Sequence, residues 1–281
     1  MLGYATVAAL MYTLPFVFAD AFSKKIIRKL GAYRAGAIVL AAGLLPALAV
    51  SILIPLGAYS GYSIMLAVVT GMLVGVGYLL FYKSIETEQV SNTIALSELG
   101  ALIFVAFGFV VLNEPITGAG IIGVLIVLIG AVFIATTEGK NFNRKLLPAV
   151  ASYLLWSSAF IIFSYSIRAS GGFVLPLLTA KVTMLATFLI AGLMVSYRKA
   201  EKDQFNGIKE AAAVGILDGT GTVGFCFVVV LGAIGLAGII NALSPVVGGV
   251  LGYILYKERF TTLQACGFAA MIIGAMIVVM S

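Results

Sequence analysis

The feature that most constrains this chain is a succession of apolar stretches, each about twenty residues long and separated by short polar breaks. A helix that crosses the hydrocarbon core of a bilayer needs about 20 apolar residues. Only 10% of the 281 residues are charged, whereas a soluble domain has about 25%. The sequence therefore predicts an all-α integral membrane protein, because lipid solvates outward apolar side chains and helices satisfy their own backbone groups.

The breaks predict ten transmembrane helices. The first five cover 2–22, 35–56, 62–82, 90–112 and 116–136, and the second five cover 147–168, 173–196, 209–232, 235–256 and 261–280.

The basic residues are distributed unevenly between the connections. Of 17 lysines and arginines, all but Arg168 and Lys181 fall in the odd-numbered connections, the first of which holds Lys24, Lys25, Arg28 and Lys29. The positive-inside rule then places the odd connections in the cytoplasm and both termini outside the cell. Topology thus explains the net charge of +6, and we expect no nucleic-acid partner.

Several chemistries lack the residues they need. There is no histidine, and the two cysteines lie inside apolar segments, so the sequence suggests neither a zinc site nor a disulfide framework. It contains no glycine-rich phosphate loop ending in Gly-Lys-Ser/Thr. We expect no metal, no cofactor and no enzymatic activity, since a membrane-embedded enzyme would need a cluster of catalytic groups.

A shift of 144 residues superimposes one half of the chain on the other. The coincident positions include Gly71, Gly75, Gly77, Phe81, Glu114 and Gly130 over Gly215, Gly219, Gly221, Phe225, Glu258 and Gly274. We divide the chain into a first repeat (1–137), a connecting loop (138–145) and a second repeat (146–281). Because each repeat has five predicted helices, the two are inverted relative to one another, an arrangement on which alternating access is commonly built.

Two segments between apolar helices carry a family resemblance: Leu112-Asn113-Glu114-Pro115-Ile116-Thr117 and Tyr256-Lys257-Glu258-Arg259-Phe260-Thr261. Each precedes a helix that contains Ile-Gly-Ala. With Asn241-Ala242-Leu243-Ser244-Pro245 and Leu155-Trp156, the chain resembles the drug/metabolite transporter superfamily in its two-EamA-repeat form. The resemblance covers essentially the whole chain and implies transport activity. It also implies that both termini lie in the cytoplasm. On this point we follow the distribution of basic residues, which predicts that both termini lie outside the cell.

We therefore expect a secondary active transporter in the cell membrane that moves a small polar or amphipathic metabolite, such as an amino acid or amine. Proton coupling is one option for its energy source. The alternatives are a facilitative exporter of hydrophobic compounds or lipids, and a channel. The expected partners are the small-molecule substrate and membrane lipid, and the expected state is a monomer or a weak homodimer.

Three ionisable residues lie near the middle of predicted helices: Glu98, Lys181 and Asp218. A charge in the bilayer centre costs about 2.5–3.5 kcal/mol on insertion scales, so such residues normally face the protein interior. Two acids against one base leave a surplus carboxylate, which suits an amine or a proton. Glu98 is the first candidate for that role. The alternative is a neutral pair of Lys181 with one acid that only fixes packing.

Other polar and aromatic positions are candidates for the same site. The resemblance places Tyr78 and Trp156 around a cavity, where aromatic walls suit cations and ring-bearing solutes. Asn241 and Ser244, beside Pro245, either bind substrate or satisfy carbonyls freed by a bend. Tyr82 is expected in the interfacial belt.

Further positions have structural interpretations. We expect Glu114 and Glu258 near the surface, each complementing the dipole of the helix that follows it. Glycines spaced by four residues, as in Gly71–Gly75 and Gly215–Gly219, favour close helix contacts. Pro15 and Pro46 favour bends within their helices.

Overall fold

A computed structural model describes most of the chain, and in that part every regular element is a helix. The described residues are 2–57, 60–96, 99–100, 103, 117–135, 143–196, 207–241 and 244–280. Six helical stretches are long and apolar enough to cross a membrane: Gly3–Leu30, Ala32–Leu53, Gly61–Thr87, Arg144–Ser170, Val174–Met194 and Ile208–Val230. The chain is accordingly a multi-pass membrane protein.

The described helices follow the predicted segments in order. In the first half they are α1 (Leu2–Leu30), α2 (Ala32–Ala42), α3 (Leu44–Leu53), α4 (Gly61–Thr87), α5 (Val90–Ala95) and α6 (Gly118–Ala135). In the second half they are α7 (Leu147–Ser170), α8 (Val174–Ser196), α9 (Ile208–Val230), α10 (Ile234–Asn241), α11 (Ser244–Tyr256) and α12 (Thr262–Met280).

Helix α1 is longer than predicted. The apolar run ends near residue 22, but the helix continues to Leu30 and carries Arg28 and Lys29 in its last turn. Cations near a helix C-terminus are stabilised by the dipole, and their long apolar stems can lie along neighbouring helices. The basic residues from Lys24 to Lys29 thus belong to the helix rather than to the first connection.

The second span is interrupted in its middle, as its proline predicts. Helix α2 ends at Ala42 and α3 begins at Leu44, with Gly43 between them. Pro46 lacks a backbone N–H and therefore cannot bond the carbonyl of Ala42, four residues before it. Pro15 lies within α1 without ending it.

The predicted glycine contacts are present and repeat at the offset of 144 residues. A Cβ on Gly71 would lie 2.5 Å from the carbonyl oxygen of Ala180 on α8. The equivalent Cβ on Gly215 would clash with the carbonyl of Val39 on α2. Each half therefore presents a glycine surface to the other half, with backbone lying against backbone.

Helices α6 and α12 pack on one another through a second set of glycines. A Cβ on Gly130 would lie 2.7 Å from the carbonyl oxygen of Gly267, and one on Gly274 would lie 2.7 Å from that of Gly123. Since the early residue of one helix meets the late residue of the other, the two helices run antiparallel.

The ends of several helices meet on one side of the molecule, which we call the basic face. Lys29 on α1 pairs with Glu210 on α9 at 2.7 Å. Asn143, just before α7, donates a hydrogen bond to Glu88, which follows α4. These contacts join connections that the charge census assigns to one side. Which side of the membrane this face occupies stays a prediction from that census.

The opposite face is held by small residues. The Ser63 hydroxyl on α4 donates to the Ser166 carbonyl on α7 at 2.7 Å, and the Ser166 hydroxyl donates back to the Ser63 carbonyl at the same distance. Nearby, the backbones of Gly57 and Gly172 lie side by side. None of the ion pairs between described residues lies on this face.

Candidate functional site

Two of the predicted ionisable residues form a buried ion pair in the helix bundle. The Nζ atom of Lys181 on α8 lies 2.7 Å from Oδ2 of Asp218 on α9, and the two side chains are only 4% and 2% exposed. Such a pair is stable in an apolar interior only when further hydrogen bonds satisfy it. The structure thus pairs Lys181 with one acid, as one of the two sequence interpretations expected, and whether the pair binds substrate or only fixes packing stays a prediction.

A third helix completes the coordination of Asp218. The Tyr78 hydroxyl on α4 donates a hydrogen bond to the other carboxylate oxygen, Oδ1. Asp218 lies between Gly215 and Gly219, which bring α9 against the interruption between α2 and α3. A Cβ on Gly43 would lie 3.2 Å from Oδ2, so the break in the second span borders the ion pair.

A second carboxylate, Asp20, lies close to this pair. Asp20 is on α1 and half-buried, and it is linked to Tyr78 and Asp218 through the contacting rings of Tyr153 and Trp156. The Tyr153 hydroxyl on α7 donates to Asp20 Oδ2 at 3.4 Å, a long hydrogen bond. We call Asp20, Tyr78, Lys181 and Asp218 the central cluster.

Aromatic rings line one side of the central cluster. The Trp156 ring lies 4.9 Å from that of Tyr78 and 5.2 Å from that of Tyr153, measured between centroids. The indole N–H donates to the carbonyl of Val74 at 3.3 Å. Gly77 leaves the space for it, since a Cβ there would clash with the indole nitrogen. The aromatic wall is thus fixed by hydrogen bonds and by a glycine.

Tyr82 also lies inside the bundle, so its predicted place in the interfacial belt is wrong. Its side chain is 1% exposed and packs against Tyr78 and Phe188. Its hydroxyl is near Ser23 but makes no hydrogen bond of ordinary geometry there. The length of α4 explains the difference, because the helix continues to Thr87 and Tyr82 is not at its end.

The remaining sequence candidates are placed differently. Ser244 and Asn241 bond one another at 3.3 Å across the gap between α10 and α11. Among the described residues, the structure gives neither a hydrogen bond to the central cluster. Glu98, the first candidate for the surplus carboxylate, and Glu114 lie outside the described residues.

Glu258 was expected near the surface at the start of the following helix, and that prediction is wrong. It is 7% exposed and accepts hydrogen bonds from the N–H groups of Val90 and Ser91, at 2.8 and 3.0 Å, and from the Ser91 hydroxyl. It therefore caps α5 across the bundle, where the dipole and the unsatisfied N–H groups favour a carboxylate. It does not cap α12, the helix that follows it in the chain.

The buried cation beside Glu258 is Lys24. Its Nζ lies 3.7 Å from Glu258 Oε1 and donates to the backbone carbonyl of Glu88. We call Lys24, Glu88, Val90, Ser91 and Glu258 the Lys24–Glu258 cluster. It joins the ends of α1, α4 and α11 to the start of α5, and so closes the basic face beneath the central cluster.

Sequence reasoning missed Asp20 and the buried role of Lys24. Both omissions follow from the prediction that the first helix ends at residue 22, which puts Asp20 at a membrane edge and Lys24 in a loop. The signal was the spacing of four residues between an acid and a base, Asp20 and Lys24, which is helical spacing on one face.

The described part of the chain has no cluster of metal ligands. No group of three cysteine, aspartate or glutamate side chains is close enough there to hold a metal ion. The chemistry that the central cluster offers is instead ionic and hydrogen-bonding recognition, with two carboxylates, one ammonium and phenol groups.

Comparisons with known proteins bear on the whole chain. The model of the EamA-like transporter family matches it twice, over residues 3–136 and 144–280. A solved structure, titled only as a crystal structure of a protein, matches with a TM-score of 0.64 and 17% sequence identity, over 97% of this chain and 95% of that one. At that identity the likeness concerns the fold alone. Among curated proteins, none matches the chain.

Proposed function

Because the chain belongs to the EamA-like transporter family and is a membrane transporter of the drug/metabolite type, we propose that it carries a small amine-bearing metabolite by secondary active transport across the cell membrane. The observation that supports this proposal best is the composition of the central cluster. It contains two carboxylates, Asp20 and Asp218, and one ammonium, Lys181.

The charge balance of the cluster favours a cationic ligand. Lys181 already neutralises Asp218, since the two atoms are within 2.7 Å. Among the described residues, Asp20 has only a long hydrogen bond from Tyr153, and it keeps part of its surface accessible. A carboxylate in this apolar setting is costly when unpaired, so a substrate ammonium or a proton at Asp20 lowers the free energy of the site.

The aromatic wall favours an amine over a bare metal ion. The Trp156 ring lies 4.9 Å from that of Tyr78 and 5.2 Å from that of Tyr153, whose hydroxyl donates to Asp20. An ammonium group is attracted to aromatic faces, and the organic part of the molecule packs against them. An amino acid, a polyamine or an arylalkylamine has this combination of groups.

Transport by this site requires access from both sides in turn. The proposal includes ten transmembrane helices in two inverted repeats that rearrange around the central cluster. Its support is the reciprocal glycine contact of α4 with α8 and of α9 with α2 and α3. The Lys24–Glu258 cluster closes one end, and the Ser63–Ser166 contacts close the other.

A proton is the natural co-substrate of the same carboxylate. If Asp20 binds either a proton or the substrate ammonium, the two exclude one another and their movements are coupled in exchange. Glu98 stays a second candidate for this role. Exchange of proton for amine predicts that an imposed pH gradient drives amine flux in proteoliposomes, and that Asp20→Asn abolishes the driving effect of the gradient.

The first test is ligand-dependent thermal unfolding of the purified full-length protein. Primary amines are compared with the alcohols of the same carbon skeleton. A ligand that binds only the folded protein raises its melting temperature. We expect an amine to raise it and the matched alcohol to leave it unchanged.

The matched control separates the central carboxylate from a surface one. Asp20→Asn should abolish the amine effect, whereas Glu86→Gln, on the exposed part of α4, should keep it. Equal stabilisation by amine and alcohol would contradict the proposal and favour transport of hydrophobic compounds. A current that grows with voltage without saturating in substrate would favour a channel.

A further inference from the structure

A cavity opens on the basic face between the end of α1 and the end of α11. Its volume is about 390 Å³, and its walls are Phe22, Lys25, Arg28, Lys29, Leu255 and Tyr256. It is separate from the central cluster, since it lies at the end of the helices and none of the four cluster residues lines it. Neither the transport proposal nor the Lys24–Glu258 cluster uses it.

The cavity is positively charged. Lys25 and Arg28 are exposed, and the only carboxylate paired with a wall residue among the described residues is Glu210, 2.7 Å from Lys29. That pair is partly exposed on both sides, so solvent screens it and it binds weakly. Three cations and one carboxylate leave two positive charges that face the opening, which suits an anion.

An aromatic ring forms the inner wall and orders one of the cations. The guanidinium of Arg28 lies 5.8 Å from the centroid of the Tyr256 ring, within the range of a cation–π contact. The Tyr256 hydroxyl donates to the carbonyl of Ala21 at 2.7 Å, which fixes the ring against α1. A guanidinium held in this way is preorganised for bidentate binding of a phosphate.

The remaining walls are apolar and continue onto the lipid-facing surface. Leu255 lines the cavity and is 39% exposed, and the residues before it on α11, Ile254 and Tyr253, are 56% and 60% exposed. In a membrane protein these side chains lie against acyl chains. A ligand in the cavity therefore meets cations at one end and hydrocarbon at the other.

We propose that this cavity binds the phosphate headgroup of an anionic phospholipid, with its acyl chains along the outer surface of α11. Basic pockets between transmembrane helices near the cytoplasmic surface suit such headgroups. The apolar continuation along α11 favours a lipid over a soluble phosphate. Cations at a helix end also complement its dipole, but that role requires neither the cavity nor the aromatic wall.

The cavity lies next to the residues that close the basic face, so a lipid bound there affects the stability of that face. Tyr256 lines the cavity, and the Nζ of Lys24 lies 5.7 Å from the centroid of the same ring. The Lys24–Glu258 cluster is thus one ring away from the headgroup. A bound lipid joins α1 to α11 and stabilises the closed basic face.

The test is thermal unfolding of the full-length protein in a neutral detergent, with phosphatidylglycerol or phosphatidylcholine added at equal concentration. We expect phosphatidylglycerol to raise the melting temperature by about 5 °C more than phosphatidylcholine, the size of shift that mass action gives when the lipid is at about 100 times its Kd. Removing two cations with Lys25→Gln and Arg28→Gln should weaken its apparent affinity about 30-fold, at about fivefold per cation.

The matched control removes two cations from the same face outside the cavity. Lys83→Gln with Arg259→Gln, both exposed, should leave the lipid effect within about twofold of the wild type. Equal loss in both double variants would overturn the proposal in favour of general surface charge. Stabilisation by inorganic phosphate alone, to the same extent as by phosphatidylglycerol, would overturn the lipid assignment, and no difference between the two lipids would overturn the site.

Discussion

Two helix crossings in this protein have the same backbone design and different chemistry. In one, Gly71 and Gly75 of α4 lie against α8; in the other, Gly215 and Gly219 of α9 lie against the interrupted span α2–α3. The positions contacted are also equivalent, because Gly71 meets Thr183 and Gly215 meets Val39, which is 144 residues earlier. The two crossings are copies of one packing solution.

The polar residues do not follow that repetition. Asp218 corresponds to Val74, and Lys181 corresponds to Ala37, so the ion pair has an apolar counterpart in the first half. Packing of glycine against backbone needs only shape, and both halves can keep it. The charge pair occurs once, in the second half only, and this asymmetry is consistent with the recognition role that we propose for it.

The largest expected effect comes from making the two crossings alike. Asp218→Val leaves Lys181 buried without its carboxylate and should lower the free energy of unfolding by about 3–5 kcal/mol. Adding Lys181→Ala removes the unpaired charge, so the double variant should regain most of that stability. Amine binding, which we assign to the intact central cluster, should be lost in Asp218→Val and not regained in the double variant, as measured by thermal unfolding with and without ligand.

A double variant that is no more stable than Asp218→Val alone would contradict this expectation. In that case the pair is not the source of the cost, and the crossing depends on Asp218 for packing. Lys181→Ala alone serves as the second single variant, because it leaves the carboxylate buried and unpaired.

An intermediate effect is expected from the glycines, and it should be equal at the two crossings. Gly71→Ala and Gly215→Ala each place a methyl group against a backbone carbonyl of the facing helix, which should cost about 1–3 kcal/mol. Gly249→Ala is the control, since the nearest atom to its Cβ would be 3.9 Å away. That change should be neutral or stabilising by up to about 1 kcal/mol in chemical unfolding.

A large cost at one crossing and none at the other would show that only one crossing is held by close backbone contact. The polar asymmetry would then be accompanied by a packing asymmetry, and the two copies would differ in kind.

The smallest effect is expected from the hydroxyls around Asp218. Tyr78→Phe removes a donor to its carboxylate and should cost about 1.5 kcal/mol, the low end for hydrogen bonds to charged groups, because Lys181 still pairs with it. The equivalent residue is Thr222, whose hydroxyl bonds only the backbone carbonyl of Asp218. Thr222→Val should cost about 0.5 kcal/mol, and equal costs in urea unfolding would contradict this ranking.

The membrane class, the helix order and the glycine contacts could be predicted from the sequence, because each depends on local composition or on the internal repeat. The pairing of Lys181 with an acid also followed, since few ionisable residues lie in the apolar segments. Of the four predicted site residues that the structure brings together, Lys181, Asp218, Tyr78 and Trp156, all come from long helices with clear apolar flanks.

Asp20 and Glu258 could not be placed in the same way. The apolar run of the first helix ends where its basic residues begin. The helix itself continues to Leu30, because those basic side chains pair with residues on other helices. Glu258 caps a helix that begins 168 residues earlier in the chain. Such contacts depend on which helix ends meet, which sequence periodicity does not encode.

The buried ion pair also sets a condition on biosynthesis. Lys181 and Asp218 are 37 residues apart, so at about 5–20 residues per second the lysine leaves the ribosome about 2–7 seconds before its partner. During that interval its helix carries an insertion cost of about 2.5–3.5 kcal/mol. We expect the nascent α8 to be held in the bilayer less firmly until α9 follows, so that the two helices reach their final depth as a pair.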